Sequence, residues 1–261
     1  GTSHTADQGD GDAACSGYAL LCFLGAGYDH KTPGKFKDTV KKGLEWLKGN
    51  QKANGTFGKG ANYENAVCTM ALCEAYAMTM DPALKEAAQN GSNLLLERQG
   101  KSDAFPYGCG WNYTINGEKR ADGSVSGWAV MALKAGKSAG LDVGDGWEGA
   151  KAYVEAAWKA INPNHATMDS YAESLFPYTY NQLTNTATVG RLPCVGALCS
   201  VFLGKRPGDI MLDTLINKVM SSQVPKGYPC NTYYMYYNTL AVFQYGGEKW
   251  KDWNAQVREM L

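Results

Sequence analysis

Five stretches of the chain are apolar nearly all round: Ala13–Leu24, Ala66–Met78, Val125–Ala135, Cys194–Leu203 and Tyr233–Phe243. Each lacks the charged face of a surface helix, so each predicts a helix buried on most sides. A turn rich in Gly, Pro or Asp follows each one, and after it comes an amphipathic segment. Phe36, Val40, Leu44 and Leu47 fall on one stripe, as do Leu84, Ala88, Gly91 and Leu95. The third set is Trp147, Ala150, Val154, Ala157 and Ile161. The fourth is Leu212, Leu215, Ile216 and Val219, and the fifth Trp250, Trp253, Val257 and Leu261. Spacings of three and four with charges between them predict helices with one face packed and one wet.

The unit recurs about every 50–60 residues, longer than the common helical repeats of about 34–47. Such pairs stack into an open solenoid or curl into two concentric rings. One member of each pair is consistently apolar, which favours an enclosed inner ring. The expected fold is therefore all-α: an α/α toroid of about five helix pairs, with an inner apolar ring and an outer amphipathic ring. A flexible segment is expected at 1–11 and a single domain over 12–261. Ring closure stays open, through a gap, through the long Asn162–Thr188 connection, or through sequence outside this chain.

The end of the first pair reads Lys42-Gly43-Leu-Glu-Trp46-Leu47-Lys-Gly-Asn-Gln51-Lys-Ala-Asn-Gly55-Thr-Phe57. This resembles the QW repeat of squalene and oxidosqualene cyclases, with Phe57 in place of the final Trp. Partial copies follow. Gly91, Leu95 and Gln99 keep the frame, with Gly110-Trp111 displaced downstream; Ala150, Tyr153 and Val154 keep part, with Trp158 in the place of Gln; Val219, Gln223 and Gly227 keep part of a fourth. Gln at the end of an outer helix can satisfy orphan carbonyls, Gly lets the chain reverse, and the aromatic covers the junction. The chain also resembles uncharacterised bacterial proteins with prenyltransferase and squalene-oxidase repeats. That likeness is carried by Asp122–Lys134 and by Tyr233–Gly247. The resemblance implies a terpenoid-cyclase or protein-prenyltransferase type of α/α toroid, and fold alone does not confer function.

Charge narrows the partners. Lys+Arg and Asp+Glu are equal at 25 each, which gives no electrostatic reason to expect nucleic acid or an anionic membrane. Lys35, Lys37, Lys41, Lys42 and Lys48 sit at helical spacing with Asp38 and Glu45 among them, as on a solvated helix face. No apolar run is long enough to span a bilayer. The small, polar opening Gly1–Gly11 is no signal peptide, and export of a longer precursor stays open. Of the eight cysteines, Cys22, Cys68, Cys73, Cys194 and Cys199, with Cys15 beside them, read as small core residues. Cys109 and Cys230 fall in loop-like sequence, where a bridge between them is one possibility.

The chemistry of the resembled families does not carry over. No Asp-x-Asp-Asp is present; Asp10-Gly-Asp12-Ala stops short, and Asp169-Ser-Tyr-Ala-Glu173 only echoes the acid motif of oxidosqualene cyclases. The three histidines, His4, His30 and His165, stand apart from any Asp-x-Cys element, so no metal and no cofactor is expected. The Cys-Gly-Glu-Gln of thioester domains is missing, and no Ser or Cys nucleophile has a supporting motif.

What remains is the end where the apolar helices begin. There lie Tyr63, Glu64, Trp111, Tyr113, Asp122, Tyr178, Tyr180, Tyr233, Tyr234, Tyr236 and Tyr237. Asp12, Glu64 and Asp122 read as helix caps offsetting the N-terminal dipole, or as carboxylates at the mouth of an aromatic pocket, with Asp122 and Glu64 the candidate acids. The first functional expectation is binding of a small hydrophobic ligand or a protein partner at this Tyr-rich end. One alternative is an unusual enzyme on an isoprenoid. Another is a polysaccharide lyase or hydrolase, since aromatic rings stack on sugars and helical toroids host such enzymes.

Overall fold

The computed structural model describes residues 11–114, 120–170, 172, 173, 175–188, 190 and 192–261. The expected flexible segment, apart from Gly11, lies outside the described residues, as do His4, Asp10 and Tyr171.

Among the described residues ten helices are found, each where an apolar or amphipathic stretch predicted one. They are α1 (Asp12–Gly25), α2 (Lys37–Gly49), α3 (Asn62–Thr79), α4 (Pro82–Arg98), α5 (Gly123–Ser138), α6 (Gly146–Ile161), α7 (Pro193–Phe202), α8 (Ile210–Ser222), α9 (Thr232–Tyr245) and α10 (Gly247–Met260). Three short strands, β1 (Arg120–Asp122), β2 (Thr179–Asn181) and β3 (Thr186–Thr188), form an antiparallel sheet in that order. The helical reading did not anticipate them.

The chain divides into two compact units. The first comprises Gly1–Gln99, Trp111–Glu118 and Trp128–Trp147; the second comprises Gly100–Gly110, Lys119–Gly127 and Glu148–Leu261.

In the first unit, α3 packs against α1 and α4, and α1 against α2. Two glycines allow the close crossings. A Cβ at Gly17 of α1 would meet Val67 of α3, and one at Gly91 of α4 would fall on the Thr69 side chain of α3. The stripe Val40, Leu44 and Leu47 of α2 is buried, as are Leu84, Ala88 and Leu95 of α4. Side chains then lock the junctions. Gln51 Nε2 donates to Ala87 O at 3.0 Å and to Gly55 O at 3.3 Å. Gln99 Nε2 donates to Gly146 O at 3.0 Å. Phe57 is buried beside the first junction, and Trp111 at the second gives its indole N–H to Leu95 O at 2.7 Å. The last-turn carbonyls of a helix lack intrahelical partners, and the Trp111 indole supplies one for Leu95 of α4; the two Gln side chains instead tie their junctions to mid-α4, to the Gly55 turn and to the start of α6.

Helix entry is set by acids and amides. Asp81 caps α4 through Ala83 N at 3.1 Å, with Pro82 as the first helical residue. In the second unit Asp209 caps α8 through Leu212 N, and Asn231 caps α9 through Tyr234 N, both at 3.1 Å. There α7 packs on α8 and α9, and α9 on α10. Phe176 fits against Gly196 of α7, and Tyr153, Phe176 and Tyr180 form one buried aromatic group.

Two expectations need correction. The helices α1 and α9 are not buried on most sides. Cys15, Ala19 and Cys22 form one exposed face of α1, and Phe243 of α9 is exposed. Within its unit α1 packs on α2 and α3, with Tyr18 against Trp128 of α5, and among the described residues the face of Cys15, Ala19 and Cys22 is left exposed. Cys15 and Cys22 are accordingly surface rather than core thiols. No disulfide joins Cys109 to Cys230. No helix among the described residues is long and apolar enough to cross a membrane.

Candidate functional site

In the first unit, four aromatic side chains meet at the start of α3. Tyr63 is the second residue of that helix, Tyr18 comes from α1, Trp128 from α5 and Tyr113 from the segment after Trp111. The rings of Tyr63 and Tyr113 lie 6.1 Å apart and within 4° of parallel. Trp128 meets Tyr63 and Tyr18 edge-on, at 6.1 and 5.2 Å. The Tyr18 hydroxyl donates to that of Tyr63 at 3.1 Å. Trp128 is only 3% exposed and makes the floor, whereas Tyr113 is 39% exposed and Tyr18 and Tyr63 are half-buried.

The backbone holds this platform in place. Asn62 N donates to Tyr113 O at 3.0 Å, and Asn62 Nδ2 to Asn112 O at 2.8 Å. Arg98 Nη1 reaches Gly60 O at 2.6 Å and Asn62 Oδ1 at 3.0 Å. The helix start and the segment 111–113 are thereby fixed to each other by both main chain and side chains.

The candidate acids sit differently. Glu64 follows Tyr63 but is only 6% exposed, with its carboxylate against Gly58, whose φ of +49° suits a residue without Cβ. The Cys68 thiol one turn on is pushed well up by burial, and the Glu64 charge adds to that. Asp122, in the second unit, is 0% exposed at the end of β1. Its Oδ1 accepts from Ser124 N at 2.9 Å, Ser124 Oγ at 2.6 Å and Val125 N at 3.1 Å. That geometry is the capping arrangement of the two weighed from sequence. Asp12 makes no side-chain cap.

Of the other residues singled out in the sequence, Trp111, Tyr180 and Tyr237 lie within the core. Tyr178 is exposed beside the sheet, where its carbonyl accepts from Gly123 N at 2.6 Å. Tyr233, Tyr234 and Tyr236 are half-buried along the first turn of α9, each ring meeting a neighbour of the same group at 4.7–5.9 Å.

Sequence reasoning missed Tyr18 and Trp128 because both sit inside apolar stretches. It also missed Glu74 and Lys134, each a charge flanked by apolar residues within its helix, which is a signal visible in the sequence. Glu74 shares a stripe of α3 with Tyr63, Val67 and Met70, at spacings of four, three and four. Burial raises its pKa above the usual carboxylate range, and the Lys134 ammonium partly offsets this. Among the described residues, no group of three or more His, Cys, Asp or Glu side chains is placed to hold a metal ion.

No protein-family profile and no curated protein matches the chain. Solved structures do. The chain is similar to the GH76A α-1,6-mannanase of Salegentibacter sp. HEL1_6, with a TM-score of 0.66 and 15% identity over 95% of this chain and 76% of that one. Two inactive variants of that enzyme, in complex with α-1,6-mannotriose and α-1,6-mannotetrose, align with TM-scores of 0.57 and 16% identity over 95% of this chain and 73% of theirs. At this identity the likeness shows the fold, an all-α fold of the α/α-toroid class, as the helix pairs predicted. It also corrects the resemblance drawn from the repeat. The aligned structures are glycoside hydrolases, not terpenoid cyclases or prenyltransferases. Junctions closed by Gln and an aromatic ring serve the packing of helix pairs, so they do not single out one family on this scaffold.

Proposed function

We propose that this protein binds a neutral oligosaccharide on the platform of Tyr18, Tyr63, Tyr113 and Trp128. The observation that carries the reading is the parallel Tyr63–Tyr113 pair, half-open to solvent over a buried Trp, on a fold shared with α-1,6-mannanases. A pyranose presents one face of C–H groups, which packs on an aromatic ring, and a rim of hydroxyls, which the Tyr18 and Tyr63 hydroxyls can meet. The chain's zero formal charge suits an uncharged ligand.

Binding is placed ahead of hydrolysis for a chemical reason. The inactive mannanase variants were made by replacing two consecutive aspartates, and this chain has no two consecutive acidic residues. Glycoside hydrolysis ordinarily needs two carboxyl groups flanking the scissile bond, and Glu74 is a single carboxyl with Lys134 as its charged neighbour.

Calorimetric titration with α-1,6-mannotriose tests the reading. Saturable binding by the wild type, weakened about tenfold by Tyr113→Ala, is the expected result; no heat with mannotriose or mannotetraose removes it. Release of reducing ends from an α-1,6-mannan would move the chain from binder to hydrolase.

A further inference from the structure

Charge marks out two helices of this chain. Among the described residues, α7 and α9 contain no charged side chain, and α1 contains one, Asp12, at its first position. A helix without a polar face is built to be covered on every side. The helix α7 meets that requirement, being buried from Pro193 to Val201. The helices α1 and α9 do not. Cys15, Ala19 and Cys22 leave one row of α1 exposed. On α9, Phe243 is 54% exposed, and Tyr236 and Leu240 are half-buried on the same row. The Trp250 ring of α10 meets Phe243 edge-on at 5.0 Å and supports it.

The two rows fit each other. In both, the residues are spaced four and then three apart, which keeps each row along one line of its helix surface. The α1 row is a shallow groove of small side chains, and the α9 row is a ridge of large ones. A ridge seated in a groove fills space without voids. Two copies of α9 would set large against large and overpack. Two copies of α1 would set small against small and forgo the contacts that the ridge supplies. Neither row carries a charge that would have to be stripped of water.

We infer that α1 receives the α9 ridge of a second copy of this chain, with Leu240 set over Ala19 and with Tyr236 and Phe243 over the two cysteines. The contact is heterologous: each copy gives one face and keeps the other, so assembly proceeds past a pair into short rows of molecules. One helix on one helix lies at the small end of specific interfaces, so the association is weak and rises with concentration. The inference stands apart from the oligosaccharide reading, since neither row includes a residue of the aromatic platform.

Sedimentation velocity of the full chain, run as a concentration series under reducing conditions, is the test. The wild type should show a mass that climbs with concentration and passes that of a dimer. Ala19→Lys and Phe243→Lys each put an ammonium on one row, and each should weaken association roughly tenfold or more. An equimolar mixture of the two should then stop at a 1:1 pair, because one variant keeps its ridge and the other its groove. Both positions are exposed, so the melting temperatures should match the wild type's; Ala19→Gln and Phe243→Gln replace any variant whose melting temperature does not. A monomeric wild type, growth that ends at a dimer, single variants that associate as the wild type does, or a mixture that stays monomeric would each overturn the inference.

Discussion

His30 Nε2 lies 2.8 Å from Asp81 Oδ2, and the same carboxylate caps α4 through Ala83 N. The hydrogen bond from His30, the capping N–H and the nearby Lys31 ammonium, in that order, hold the Asp81 carboxyl down at about 2. A carboxylate with a depressed folded pKa stabilises the fold above its unfolded value of about 4, and the contribution is lost as pH falls from there through about 2. Asp81→Asn keeps a capping oxygen and removes the charge, so its melting temperature should fall less steeply than the wild type's between pH 4 and 2. Asp81→Ala also removes the cap, at a cost of about 1 kcal/mol or more. Parallel wild-type and Asn melts across that window would contradict this account.

The Trp111–Leu95 hydrogen bond gives a second prediction. Trp111→Phe preserves most of the ring and strands the Leu95 carbonyl, which should cost about 1–3 kcal/mol. Trp111→Ala adds a cavity and should cost about 3–5 kcal/mol. Urea denaturation separates the two; equal losses would show that the hydrogen bond contributes nothing measurable.

Glu74 should behave in the opposite sense to Asp81. Burial raises its folded pKa, so its relative stabilisation is fully present below the unfolded value near 4.5 and is lost as pH rises through the folded one. Glu74→Gln should therefore be at least as stable as the wild type at pH 7 and should lose that advantage by pH 4. A Gln variant less stable at pH 7 would mean that Lys134 outweighs desolvation.

Glycine positions in two helices should respond with opposite signs. Gly91→Ala improves helix propensity by about 1 kcal/mol but drives a methyl into the buried Thr69 side chain, and overpacking costs about 1–3 kcal/mol. A net loss is expected. Gly49→Ala in α2 meets nothing within 4 Å and should stabilise by a few tenths of a kcal/mol or more. Chemical denaturation of both variants, read side by side, checks the pair.

The helices were legible because burial leaves a periodic mark. Val40, Leu44 and Leu47, or Leu212, Leu215 and Val219, repeat at helical spacing and are buried as that spacing requires. The junction residues Gln51, Gln99 and Trp111 were legible as a motif, and their bonds to Ala87, Gly146 and Leu95 give it a physical content. The sheet was not, since its strands are three residues long, with β1 just ahead of α5 and β2 and β3 in the 162–188 connection. Tyr178-Thr-Tyr-Asn and Thr186-Ala-Thr do carry the β-branched alternation, but over spans too short to compete with a helical period. Exposure of α1 was also invisible, because an apolar sequence states what a helix tolerates and not which neighbours it finds. The aromatic platform was half legible: Tyr63 and Tyr113 stood at a helix start, while Tyr18 and Trp128 were hidden among residues read as packing. What the platform binds depends on ring faces and hydroxyl directions, which a one-dimensional pattern does not hold.

The uncovered side of α1 sorts the sulfur atoms of this protein by chemistry. Burial drives the Cys73, Cys109 and Cys194 thiols up to about 12, and raises Cys68 and Cys199 as well, so the thiolate that reacts is scarce there. Cys15 and Cys22 face solvent two turns apart on one helix. With the part-exposed Cys230 of the second unit replaced by Ser, a maleimide dye or spin label would therefore mark α1 alone, and the same pair is where air oxidation would join one molecule to another.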